Sequence, residues 1–175
     1  MVIWITGLSG AGKTEIGKKV YEELKLKYIN TVFLDGDLFR EVLGRSGHSL
    51  RERMEVARRI SSFCRFMDQQ DIHVVCCTIS LFDEIHRLNR ENLADYYEVF
   101  IDVDMEELIR RDKKGLYSGA IKGEILNVVG IDLPFDEPKN PHLIIDNTKL
   151  DKLEEKANKI LDIIQCRKGE ANGHK

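Results

Sequence analysis

The stretch WITGLSGAGKTE, residues 4–15, constrains this chain more than any other. A β-branched apolar run, VIWIT at 2–6, ends at Gly7. Four residues then separate Gly7 from Gly12, and Lys13 and Thr14 follow. Glycines at such positions let the backbone wrap closely, so that successive N–H groups face an anion. Ile16, Val20 and Leu24 then recur at helical spacing, which aims the positive end of a helix at the same anion. A lysine ammonium suits the outer phosphates and a threonine hydroxyl suits Mg2+. Gly7, Ser9, Gly10, Ala11, Gly12, Lys13 and Thr14 are therefore expected to hold a nucleoside triphosphate, with Thr14 as the metal contact.

The rest of the chain alternates strand-like and helix-like patterns. Further strands are expected at 30–35, 72–80, 97–104 and 142–146, and helices at 49–69, 83–96 and from Leu153 onward. This alternation predicts an α/β fold, a parallel five-stranded sheet flanked by helices. The 175 residues suit a single domain, placed at 1–167, and the small polar stretch 168–175 is expected to fray. Residues 112–141 hold all three prolines. The segment is too long for an ordinary connection and reads as a lid.

Composition excludes several classes. Twenty-seven basic and 30 acidic residues give a net charge of −3, which offers no electrostatic reason for a nucleic-acid polymer or a membrane partner. No signal-peptide pattern opens the chain, and no apolar run approaches the ~20 residues of a bilayer span. Cys64, Cys76, Cys77 and Cys166 form no Cys-x-x-Cys pair and read as buried, reduced thiols of a cytoplasmic protein. His48, His73, His86, His142 and His174 lack metal-ligand spacing and read as surface or substrate-edge residues.

The acceptor of the phosphate is sought at the carboxyl ends of the later strands, where α/β sheets place ligands. LDGDLFR, at 34–40, follows the second strand. Asp35 or Asp37 is placed to take a proton from a hydroxyl or to hold a metal-bound water, and Arg40 to grip an anion. Arg51, Arg53, Arg58 and Arg59 crowd the next helix. Most read as a solvated face, with at least one turned toward a phosphate or sulfate. RRDKKGLYSGAIKGE, at 110–124, brings lysines and glycines into the lid. The guanine-reading Asn-Lys-x-Asp signature of small GTPases is missing and the chain is short for a motor, so a small-molecule kinase fits best.

GLSGAGKT, LDGD with Arg40, RDKKGLY, GEI and GIDLPFDEPKNP, in this order, resemble the adenylylsulfate kinases, with a match running from Val2 to about Ile164. The resemblance implies an enzyme that uses MgATP to phosphorylate the ribose 3′-hydroxyl of a 5′-modified nucleotide. In that reading Asp37 orients or deprotonates the hydroxyl, and Lys13 and the lid residue Lys114 neutralise the transferring phosphates. Arg40 and Arg53 clamp the substrate anion, Ile79 and Ser80 are strand-end contacts, and Asp35 and Leu116 complete the substrate site. A homodimer is also implied.

Departures from the pattern are as informative. His48 and Val128 stand where the family sandwiches the substrate adenine between phenylalanines, and Val56 stands for an asparagine. Asp83 replaces an arginine, and Ser118, Gly119 and Ile121 dilute a basic lid. Base–aromatic stacking is worth about 1–3 kcal/mol per base, so a different acceptor base, a pyrimidine, is expected. The chain looks like the cytidine diphosphoramidate kinase branch, which serves bacterial capsule modification. The alternatives are an adenylylsulfate kinase whose stacking residues have moved, and a nucleotide-binding regulator. Retention of Lys13 and Asp37 counts against the regulator.

Overall fold

Five short runs of apolar, largely β-branched residues form one sheet. They are Val2–Thr6 (β1), Thr31–Asp35 (β2), His73–Thr78 (β3), Tyr96–Asp102 (β4) and Leu143–Asp146 (β5). The strand order is β2-β3-β1-β4-β5, and every pairing is parallel. The computed structural model describes residues 1–44 and 47–172. Residues 173–175, with the expectation for His174, lie outside the described residues.

Parallel strands need crossover helices on both faces, so their side chains are buried on both sides. Ile3 and Ile5 of β1 face the helices Lys13–Lys27 (α1) and Leu153–Asn172 (α7), meeting Ile16, Val20, Ala157 and Ile160. Val2 and Trp4 face the other way, toward Val56 and Ile60 of Leu50–Asp68 (α3) and Ile85 of Asp83–Asn92 (α4). Trp4 is fully buried, worth several kcal/mol of burial. The helix α3 starts where Ser49 and Glu52 cap each other's backbone N–H groups, which satisfies donors that a helix start leaves open.

Gly36–Val42 (α2) follows β2 directly. Met105–Arg111 (α5) follows β4, and a 3-10 turn at Lys113–Gly115 leads into Leu116–Ile121 (α6). The expected lid thus contains a short helix and then an irregular run back to β5. The lid is tied to the body. Tyr117 donates to the Ser9 carbonyl at 2.8 Å, Asp136 N–H donates to the Leu81 carbonyl at 3.0 Å, and Arg90 donates to the Asn140 carbonyl.

Three expectations need correction. The stretch from 168 is helical as far as Asn172, because α7 continues through it. Cys64, Cys76 and Cys77 are buried, but Cys166 is exposed, lying outside the apolar stripe of α7. His86 is buried rather than superficial, since α4 turns it toward the sheet. Among the described residues no helix is long and apolar enough to cross a membrane.

Gly17 marks where α1 presses on the sheet: a Cβ there would lie 2.2 Å from Cys77 Sγ and 3.2 Å from the Phe33 ring. Alanine normally gains about 0.5–1 kcal/mol over glycine within a helix. Overpacking costs about 1–3 kcal/mol, so Gly17→Ala is expected to lower stability in urea unfolding. Adding Cys77→Ala should recover most of the loss. A Gly17→Ala protein at least as stable as the wild type would show that α1 is free to shift.

Candidate active site

The phosphate loop lies between β1 and α1, and its geometry is set by what its carbonyls do. Lys13 Nζ donates to the Leu8 carbonyl at 2.8 Å, and Tyr117 Oη to the Ser9 carbonyl at 2.8 Å. Arg111 Nη1 donates to the Gly10 carbonyl at 3.1 Å, and Asn147 Nδ2 to the Ala11 carbonyl at 2.7 Å. A planar trans peptide points its N–H opposite to its C=O. Drawing four successive carbonyls toward side chains therefore turns following N–H groups such as those of Gly10 and Gly12 to the other side, which suits an anion, while the Ala11 N–H donates to the Leu8 carbonyl at 3.2 Å.

Glycine is required at both ends of the loop. A Cβ on Gly7 would lie 2.5 Å from the Ile101 carbonyl oxygen, and Gly12 has φ +92° with Asn147 Nδ2 2.4 Å from a Cβ position. The first turn of α1 opens at Lys13, so the helix dipole adds to the anion site. Thr14 Oγ1 donates to Asp35 Oδ2 at 3.0 Å, while Asp35 Oδ1 accepts from the Asp37 and Leu38 N–H groups. A hydroxyl beside a carboxylate is a hard-oxygen pair of the kind that suits Mg2+. Asp35 therefore faces the loop and caps α2, rather than the acceptor.

The acceptor cleft opens at the carboxyl ends of β2 and β3. Gly36, Asp37, Arg40, Arg53, Val56, Ile60, Thr78, Ile79, Ser80 and Phe82 line about 360 Å³ of space open to solvent. Asp37, Arg40, Arg53, Ile79 and Ser80 are thus brought together as the sequence implied. Asp37 is exposed in the first turn of α2. Arg40 Nη1 donates to the Gly47 carbonyl at 2.6 Å. Arg53 Nε donates to the His48 carbonyl and Nη2 to the Asn127 carbonyl, both at 2.9 Å.

Both guanidiniums line the cleft. Burial lowers the pKa of Arg40. Burial, and then repulsion by Arg40, lowers that of Arg53. Burial and the same two cations also push the His48 imidazole below its ordinary value. A bound phosphate or sulfate offsets that repulsion and accepts from the planar forks.

The remaining expected residues lie elsewhere. Val128 is 2% exposed and belongs to the core on the α1 side, so it offers the cleft no face for a base. The Asp132 carboxylate accepts from the Asn127 and Val128 N–H groups, and this turn sends the Val128 side chain inward. His48 is exposed, its carbonyl accepts from Arg53 Nε, and its ring lies near enough to Arg53, Arg40 and Asp37 to feel their charges. Leu116 packs on the core as the first residue of α6. Lys114 is exposed and outside the cleft, on a left-handed backbone with φ 64°. Arg111, Tyr117 and Asn147 were missed as site residues. Arg111 and Tyr117 bound the motif RDKKGLY and Asn147 follows the last strand, but no local pattern says that their side chains reach the loop.

A parallel sheet in this order, a phosphate loop after its central strand and a cationic cleft beside it define a phosphate-loop kinase. More narrowly, the chain belongs to the adenylylsulphate kinase family, whose sequence model matches residues 1–146. It is 48% identical to the cytidine diphosphoramidate kinase of Campylobacter jejuni over 91% of this chain and 94% of that one. It is 37% identical to the adenylyl-sulfate kinase of Halothermothrix orenii over 94% of this chain and 89% of that one. Its fold is similar to the Mycobacterium tuberculosis APS kinase CysC in complex with AMPPNP and APS. That structure superposes with a TM-score of 0.85 at 35% identity, covering 94% of this chain and 96% of that one.

Replacing Asp37 by Asn nearly keeps the side-chain shape and removes the carboxylate from the cleft lining. Asp37→Asn is expected to lower kcat by about 10²–10⁴-fold, the usual range for a lost general base, with little change in KM for ATP. Near-normal turnover in steady-state kinetics would remove Asp37 from this role.

Proposed function

We propose that the protein transfers the γ-phosphoryl group of ATP to the ribose 3′-hydroxyl of a cytidine 5′-diphosphate conjugate such as cytidine diphosphoramidate. Backbone N–H groups of the loop, those of Gly10 and Gly12 among them, and Lys13 hold the donor. Thr14 and Asp35 hold Mg2+, which when bound spreads the negative charge of the phosphates. Asp37 orients the hydroxyl and accepts its proton, while Arg40 and Arg53 grip the 5′-phosphate chain. With the acceptor fixed in this way, the reaction needs little rearrangement beyond alignment of the two oxygens. Lys114 is assigned the lid cation that reaches the transferring group when the segment 112–141 tightens over it.

One observation carries the choice of base: of the two residues expected to sandwich an adenine, Val128 is withdrawn into the core and offers no face, and the other is a histidine. Val128 is buried in the core, His48 is exposed, and Phe82 is the aromatic side chain of the cleft. A smaller pyrimidine loses less from missing stacking than a purine does. The likeness to the Campylobacter jejuni cytidine diphosphoramidate kinase supports the same reading. A homodimer, a cytoplasmic setting and a place in capsule modification belong to this proposal.

Turnover of cytidine 5′-diphosphate conjugates and of adenylylsulfate, each with ATP and followed by phosphorus NMR, tests it. A lost stacking face at about 1–3 kcal/mol predicts a kcat/KM preference of about 5–150-fold for the cytidine acceptor. Faster turnover of adenylylsulfate would replace this reading with that of an adenylylsulfate kinase.

A further inference from the structure

Lys156 is a charged residue where the fold has no general need of one. It lies on α7 next to the core residues Ala157 and Ile160, and is 8% exposed. A buried ammonium is costly unless its N–H groups are all accepted. Lys156 Nζ has three acceptors: Asn147 Oδ1 at 2.7 Å, the Lys149 carbonyl at 2.6 Å and Asp151 Oδ1 at 3.5 Å.

The first of these contacts reaches the phosphate loop. Lysine only donates, so the side of the Asn147 amide that faces Lys156 is the oxygen. The amide nitrogen is then forced toward the loop, where it donates to the Ala11 carbonyl at 2.7 Å. Asn147 has no other freedom. Its N–H donates to the Asp102 carbonyl at 2.8 Å, and its carbonyl accepts from Arg111 Nη2 at 2.6 Å. The Ala11 carbonyl and the Gly12 N–H share one planar peptide, so fixing the first aims the second.

We propose that Lys156 and Asn147 form a positioning relay that holds the Gly12 N–H toward the donor phosphates and so sets the affinity for the phosphate tail of ATP. The relay runs from α7 through the residue after β5 to the loop, and none of its side-chain atoms needs to touch the nucleotide. It rests on the donor half of the function proposed above and is independent of which acceptor is used.

The test is calorimetric titration of the intact protein, without acceptor, with Mg-ADP and separately with tripolyphosphate. Two variants are compared with the wild type. Lys156→Met removes the ammonium. Asn147→Asp keeps a partner for Lys156, and hence the local packing, but sets a carboxylate oxygen against the Ala11 carbonyl. Losing a hydrogen bond to or through a charged group costs about tenfold or more in affinity. Each variant is therefore expected to bind both probes about tenfold more weakly, whatever its melting temperature. A residue that served stability alone would move the melting temperature and leave both dissociation constants unchanged in folded protein. If Lys156→Met does not fold, Asn147→Asp decides. Affinities within about twofold of the wild type would overturn the relay. Weaker binding of ADP with unchanged binding of tripolyphosphate would overturn it too, because the residues would then be acting on the base. A wild type that bound neither probe would remove the donor half itself.

Discussion

A phosphate loop has to present its N–H groups to an anion, and a backbone does that only if its carbonyls have somewhere else to go. In this chain they go to Lys13, Tyr117, Arg111 and Asn147, one carbonyl each from Leu8 to Ala11. The rest of the structure follows from that requirement. Placing β1 in the middle of the sheet puts its carboxyl end between α5, the lid and the turn after β5, which supply those donors. The lid helix α6 is thereby anchored on the loop through a buried tyrosine. Burial holds the phenol of Tyr117 as a proton donor by pushing its pKa up to about 12.

The acceptor half is organised around two half-buried cations. Burial lowers the pKa of Arg40 against the pull of Asp37 and Glu52, burial and then Arg40 lower that of Arg53, and both guanidiniums spend N–H groups on backbone carbonyls. Arg53 in particular joins α3, the turn at 47–49 and the lid at Asn127. An anion that takes over these forks changes how those three segments are held together. In the proposed function, substrate binding and the geometry of the 112–141 segment are in this way linked through one side chain, with Asp37 lining the same cleft.

Much of this was legible in the sequence because it is local. The phosphate loop, five strands and main helices follow from short-range periodicity, and each observed strand falls within a residue or two of its expected bounds. The cluster Asp37, Arg40, Arg53, Ile79 and Ser80 was legible through the motifs of the family. Contacts spanning the chain were not. Asn147 reaches Ala11 across 136 positions and Tyr117 reaches Ser9 across 108, and nothing near either residue announces its partner. Val128 is instructive in the same way. Its alignment with a base-stacking position is a one-dimensional statement, whereas the turn closed by Asp132 sends the side chain into the core. His86 and Lys156, both buried, show the same limit for charged and polar residues on helices that look amphipathic.

In the proposed function, Asp37 and the two arginines present a ribose 3′-hydroxyl to a phosphoryl donor held by the loop. Two-dimensional proton–phosphorus correlation on the product of ATP and a cytidine 5′-diphosphate conjugate reads the new bond directly. The new phosphomonoester phosphorus is expected to couple to H3′ of the ribose. Coupling to H2′ alone, or to no ribose proton, would contradict it.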